Sequence, residues 1–334
     1  MRPAPLPETP VKFIVNTALT MAAIASTTPA YTADVKFPTR PIRMIVASSA
    51  GTGADIFARI VAQGLTDIYK EQVVVENRTG AGGLIGGVTA AAATPDGHSL
   101  FMASTSTYVS PLMQVKPSYQ PTQDFTAVAQ VTAVTSVVMV SAGMPVKSVK
   151  ELVALAKSKP GTLNYGSVGA GTAAHLSAEI FKRAAGVDIV HVPFKAVADM
   201  YTEVASGRVH VLVFVVTSSL GFLKDGKVRG LAVTSPARNF TLPDLPTVAE
   251  AGLPGAESET LYGFLAPAKT PRAMVNKLSA DIVTVLKKPD TKDRFERLGA
   301  QPTVDTSPDA FEKTVRREYE NFRKLIPEIG LKPQ

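Results

Sequence analysis

The chain has 334 residues, 45% apolar and 19% charged, which suits a water-soluble protein and favours two α/β lobes over one core. It contains no cysteine, which excludes disulfides, thiolate metal sites, a thiol nucleophile and a lipidated N-terminal cysteine. The net charge of +7 comes without any run of five basic residues, so nucleic acid is not an expected partner, while a mild positive field favours anionic solutes.

In chain order, residues 1–30 read first as a signal peptide. Arg2 and Lys12 precede an apolar stretch from Phe13 to Ala25, and Thr28-Pro29-Ala30 offers small residues at a cleavage site. Export and cleavage after Ala30 are expected. No later segment is long and apolar enough to cross a bilayer.

Ile42–Ala47 is predicted as a buried strand running into the loop Ser48–Gly53, with a helix from Asp55 to about Tyr69. A strand over Gln72–Glu76, the glycine-rich turn Thr79–Gly83 and a helix to about Ala93 follow. Ser99–Ala103 is the next strand, ending in the hydroxyl run Ser104-Thr105-Ser106-Thr107. A second series begins with a β-branched strand at Val134–Val140 and a helix at Ser148–Lys157. Leu163–Gly166 then enters a second small-residue loop, Ser167–Thr172, which opens a helix to about Ala184. Ile189–Val192, a helix from about Ala198 to Ala205, Val209–Val216, a helix near Leu220 and Val228–Val233 continue the alternation. Leu261–Ala266 is expected to return the chain to the first lobe, before helices at about Arg272–Leu286 and Pro308–Leu325. Strands alternating with helices imply right-handed βαβ units and a parallel sheet. The expected division is residues 31–131 with 260–334 as one lobe and residues 132–259 as the other.

In open α/β sheets, ligands sit at the carboxyl ends of strands, where helix N-termini offer free N–H groups. Both small-residue loops occupy such positions, and each combines backbone donors, hydroxyls and a positive helix end, which suits a carboxylate. The candidate ligand-binding set is therefore Ser48, Ser49, Gly51, Thr52 and Gly53 from the first loop, with Ser104 and Thr105 from the hydroxyl run. Ser167, Gly169, Gly171 and Thr172 come from the second loop. His175, Phe194, Lys195 and Asp199 complete it, although each also has a structural reading: a helix-face histidine, a packing ring, a solvated lysine and a helix cap.

Catalysis lacks support. Tyr165-Gly166-Ser167-Val168-Gly169 nearly spells a hydrolase nucleophile elbow, but Tyr165 replaces its first glycine and no acid and histidine stand in a signature context. Gly169-x-Gly171-x-x-Ala174 resembles a dinucleotide fingerprint, yet the next strand ends in His191-Val192-Pro193-Phe194, with no acid for a ribose. There is no Walker sequence and no His-x-x-x-His, so no cofactor and no metal are expected. A regulator of the LysR type would share a two-lobed effector fold but needs an N-terminal helix-turn-helix, where this chain has its apolar leader.

Several motifs together resemble the Bug family, the substrate-binding subunits of tripartite tricarboxylate transporters. They run from Phe37-Pro38-x-x-Pro41-Ile42-Arg43 through Gly51-x-x-x-Asp55-x-x-Ala58-Arg59 and Val74-Val75-Glu76-Asn77-Arg78-x-Gly80-Ala81-Gly82-Gly83. Gly166-Ser167-x-Gly169-x-Gly171-Thr172-x-x-His175-Leu176, His191-Val192-Pro193-Phe194-Lys195, Pro246-Thr247-Val248-Ala249-Glu250-Ala251-Gly252 and Ala266-Pro267-x-x-Thr270-Pro271 follow, in a match that runs from about Phe37 to the C-terminus. The resemblance implies a type II periplasmic-binding-protein fold closing on a small carboxylate. Implied ligand classes are citrate-like acids, acidic amino acids, nicotinate-like compounds and aromatic dicarboxylates. It also implies a monomer that delivers its ligand to a two-component permease or a sensor kinase. Ser48, Thr52, Ala196, Asp199 and His210 depart from the family pattern near the expected cleft. Ser48 and Phe194 suit a larger planar acid, whereas an unpaired Asp199 would suit an amino group.

Overall fold

The computed structural model describes Met1, Ala4 and residues 37–333. The expected signal segment thus lies outside the described residues, its Met1 and Ala4 apart. Among the described residues, no helix is long and apolar enough to cross a membrane.

The first elements are β1 (Ile42–Val46), α1 (Gly53–Tyr69), β2 (Val73–Asn77), a 3-10 turn (Ala81–Gly83), α2 (Leu84–Ala91), β3 (Ser99–Ala103) and α3 (Thr105–Leu112). Then come β4 (Phe125–Ser141), α4 (Val149–Ser158), β5 (Asn164–Ser167), α5 (Ala173–Ala185), β6 (Val190–Pro193), α6 (Val197–Ala205), β7 (Val211–Val215), α7 (Val216–Lys224) and β8 (Val228–Val233). The chain ends with β9 (Glu259–Pro267), α8 (Arg272–Lys287), α9 (Pro289–Arg297) and α10 (Pro308–Glu328).

The strands run in the order β2-β1-β3-β9-β4-β7-β5-β6, and β8 also pairs with β4. β1 is parallel to β2 and β3, and β5 is parallel to β6 and β7. The expectation of a purely parallel sheet does not hold, because β4 and β9 run antiparallel to each other and to the strands they meet. β4 is also far longer than Val134–Val140: its 17 residues pair along Phe125–Thr135 with β9 and along Ser136–Ser141 with β7 and β8. One strand therefore serves two sheet regions.

Each region has its own core. Ile45, Phe101, Ala103 and Tyr108 pack with Phe311, Val315, Phe322 and Ile326 of α10 in the first. Val138, Val140, Leu152, Phe181, Val211 and Val213 meet in the second. β1 shows why its strand forms: Ile42, Met44, Ile45 and Val46 are fully buried between two parallel neighbours, as a central strand requires. The carboxyl ends of β1, β3 and β5 all lead through small-residue turns into helices, and these turns face a shared cavity.

Candidate functional site

The two small-residue loops are built alike. In Ser49-Ala50-Gly51-Thr52, the Thr52 hydroxyl donates to the Ser49 carbonyl at 2.9 Å and accepts from the Asp55 N–H, capping α1. In Gly169-Ala170-Gly171-Thr172, the Thr172 hydroxyl donates to the Gly169 carbonyl at 2.7 Å and accepts from the His175 N–H, capping α5. Gly51 and Gly171 both sit at left-handed φ, +80° and +75°. Each donates its N–H four residues ahead, to Asp55 Oδ2 at 3.1 Å and to His175 Nδ1 at 3.2 Å.

These internal bonds decide which donors face a ligand. The first N–H groups of a helix lack intrahelical partners. Those of Thr52, Asp55, Thr172 and His175 are bonded within the loops, but those of Gly53 and Ala54, and of Ala173 and Ala174, find no acceptor among the described residues. All four of these residues line a cavity of about 670 Å³. Ser49 adds a buried hydroxyl with no partner among the described residues.

The cavity wall carries further hydroxyls from Ser48, Thr79, Ser104, Ser106 and Ser110, and apolar surface from Leu84, Met113, Val168 and Phe194. Its floor comes from the long strands: Ser136 of β4, Phe214 and Val215 of β7, and Thr260 and Tyr262 of β9. Among the described lining residues, Lys195 is the sole charged side chain, and there is no Asp, Glu or His. Across the mouth, Ser218 of α7 donates to the Gly51 carbonyl at 2.8 Å. On the other side, Ser110 of α3 donates to the carbonyls of Gly82 and Gly171. Gly82 is a glycine because any Cβ there would strike the Ala170 carbonyl of the second loop.

Of the expected site residues, Ser48, Ser49, Thr52, Gly53, Ser104, Gly169, Thr172, Phe194 and Lys195 line this cavity. Six do not. Gly51 and Gly171 spend their N–H groups on Asp55 and His175. Thr105 is buried in the first turn of α3. Ser167 has no exposed surface, and its hydroxyl is shared between Gly169 and His191 Nε2, the latter at 2.7 Å. His175 is buried behind the loop, stacked on His191 with ring centroids 4.4 Å apart. Asp199 lies exposed in the first turn of α6, whose N-cap is Ala196, so Asp199 is not the cap either. Ala54, Ala173, Ala174 and Tyr262 line the cavity without having been expected.

The Ser167–His191 pair has the donor–acceptor geometry of a nucleophile and base, but the fully buried hydroxyl gives a substrate no access. Burial, with His175 alongside, pushes the His191 pKa down to about 4. Burial likewise lowers that of His175. At Asp55 burial acts in the opposite direction, upward, yet hydrogen bonds from Arg59, Asn77 and Gly51 outweigh it and hold the carboxyl below its ordinary value. Asn77 also donates to the Ser48 carbonyl at 2.9 Å, so Asp55 and Asn77 together fix the first loop.

Known proteins share the sequence pattern and fold of this chain. Residues 57–331 match the model of the "Tripartite tricarboxylate transporter family receptor". A protein of Pseudomonas sp. (strain P51), described as the UPF0065 protein in the tcbD-tcbE intergenic region, is 35% identical over 318 residues, 95% of this chain and 94% of the relative. The structure of R. palustris Rpa4515 with adipate superposes with a TM-score of 0.85 at 32% identity, covering 89% of this chain and all of that one. The periplasmic binding protein BugD gives 0.85 at 31% identity with the same coverage. MatC (Rpa3494) from Rhodopseudomonas palustris with bound malate gives 0.82 at 28% identity, covering 87% of this chain and all of that one. The fold is the expected periplasmic-binding-protein fold, and the chain belongs to the tripartite tricarboxylate transporter receptor family, the family its motifs resemble.

Proposed function

We propose that this protein is an exported periplasmic receptor that captures a small carboxylate lacking an amine, hands it to a two-component permease or a sensor kinase, and carries out no reaction. The observation that carries this reading is the cavity lining. Two helix N-termini with open N–H groups converge on a space edged by hydroxyls and one lysine, which suits an anion. Among the described residues no carboxylate side chain faces that space, so an amino group would be desolvated without a counter-charge. Asp199, the residue that would favour an acidic amino acid, is outside the lining and exposed.

The structures with adipate and malate support a carboxylate of this kind for the family members concerned. The apolar wall of Leu84, Met113, Phe194 and Phe214 favours an acid with an extended or planar apolar body. Among the described residues the lining also holds no histidine or acid to act as a general base, which supports binding without chemistry. The two sheet regions act as lobes, residues 31–131 with 260–334 and residues 132–259, which the Ser218–Gly51 and Ser110–Gly171 bonds hold together when closed.

A thermal-shift panel of adipate, malate, terephthalate, nicotinate and glutamate tests the reading. A ligand at a hundred times its Kd adds about 2.7 kcal/mol of stability. A rise in Tm with one or more of the amine-free acids and none with glutamate is expected. A shift with glutamate alone would overturn the amine-free assignment.

A further inference from the structure

Tyr262 stands on β9, far in sequence from both loops, and is 4% exposed. Its hydroxyl lies against the first residue of α1: a Cβ at Gly53 would come within 2.5 Å of it. The phenol therefore adjoins the Gly53 and Ala54 N–H groups that open into the cavity. The Thr260 hydroxyl, two residues back on the same face of β9, lines the cavity beside the phenol and is its hydrogen-bond partner, a pair in which either hydroxyl can donate. With Thr260 donating, the phenol keeps its own O–H for an acceptor in the cavity, and no further partner is found for it among the described residues. A donor so deeply buried is costly to leave unmade.

We propose that Tyr262 donates its O–H to the same carboxylate that the α1 N-terminus holds, with Thr260 as a positioning residue that orients the phenol. The proposal rests on the carboxylate-binding reading. It makes the anion site three-sided: the α1 N–H groups, the α5 N–H groups, and a phenol from the return strand. It also explains Gly53 beyond its backbone donor, since the phenol occupies the place where any side chain would go. A hydrogen bond from a neutral donor to a charged acceptor, in a site that excludes water, has more weight than one at the surface.

The absence of tryptophan gives a direct readout, because the near-ultraviolet spectrum of this chain is that of its tyrosines. The probe is whichever of adipate, malate, terephthalate and nicotinate binds the unaltered full-length protein most tightly by calorimetry. Tyr262→Phe removes one oxygen and keeps the ring. It is expected to weaken that probe by about ten- to a hundredfold. Binding to the unaltered protein should perturb tyrosine absorbance, read with adipate or malate if the tightest probe absorbs there, and the perturbation should be lost in Tyr262→Phe. Thr260→Val should weaken binding less and keep the perturbation. Gly53→Ala should weaken binding strongly, with partial recovery in the Gly53→Ala, Tyr262→Phe double variant. Unchanged affinity and an unchanged difference spectrum in Tyr262→Phe would overturn this role while leaving the carboxylate reading intact. Failure of the unaltered protein to bind any of the four acids would overturn both.

Discussion

The loops Ser49–Asp55 and Gly169–His175 share a backbone plan but differ in what anchors them. Each has a glycine at left-handed φ, a threonine cap, and a side chain four residues past the glycine that accepts its N–H. In the first loop that side chain is a carboxylate, joined by Arg59 and Asn77 into a network reaching β2. In the second it is a neutral imidazole, stacked on His191 and Tyr165. The same backbone can thus be held by a charge network or by a ring stack. The two solutions answer differently to mutation and to acid.

The largest contrast is expected from removing the anchors. Asp55→Ala leaves the Gly51 N–H without its acceptor and removes the bonds that Asn77 and Arg59 make to the carboxylate, and should cost about 2–4 kcal/mol by urea unfolding. His175→Asn keeps an acceptor of roughly similar reach and should cost less, about 1–2 kcal/mol. Equal losses would erase the distinction between network and stack.

Acid should separate the loops next. His175 and His191 both have lowered pKa values, chiefly through burial, so the folded protein binds fewer protons than the unfolded chain. Their contribution to stability is complete above the ordinary value of 6.5 and is lost as pH falls toward about 4, the folded value of His191. Protonated His175 Nδ1 can no longer accept from Gly171. The Asp55 carboxyl, held below its ordinary 3.8, keeps its charge throughout that range. Melting temperature should therefore drop between pH 6.5 and 4.5, with amide exchange rising first around Gly171 and only later around Gly51. Simultaneous loosening would count against separate anchors.

The caps should behave as equals. Thr52→Ala and Thr172→Ala each remove the cap bond and the bond to the carbonyl three residues back, Thr52→Ala also one shared with the Ser48 hydroxyl at the loop surface, and each should cost about 1 kcal/mol of stability. Serine at either position should restore most of it. The smallest effect is expected from Ser218→Ala, which deletes one bond across the mouth to Gly51. It should weaken every ligand by a similar factor, less than about tenfold, through a faster off-rate with little change in melting of the free protein.

The placement of the two loops was legible in sequence because a strand, a small-residue run and a helix start follow one another in each. Which donors remain free was not legible. Gly51 and Gly171 look like ligand donors until the side chains four residues on are seen to take their N–H groups, and Ala54, Ala173 and Ala174 contribute backbone atoms that no side chain announces. Tyr262 reaches the site through strand pairing across most of the chain. The helix α3 escaped because Ser104-Thr105-Ser106-Thr107 favours turns over helix interiors and Pro111 follows; it is held instead by packing, with Tyr108 stacked on Phe322 of α10. The first half of β4 escaped because its alanines and Gln130 dilute the β-branched residues that crowd Val134–Val140.

The long strand β4 and its partner β9 also set an order of assembly. The strands of the second core follow one another from the end of β4 to β8. The first core must wait: Phe101 of β3 pairs with Leu265 of β9, and Phe311, Val315 and Phe322 arrive only with α10. A chain emerging from its N-terminus therefore displays an open β3 edge and an unfilled core until its last helices are available. Closing so long a loop is slow. The earliest residues of the fold are the last to be finished, and any interruption before Pro308 leaves them exposed to aggregation or proteolysis.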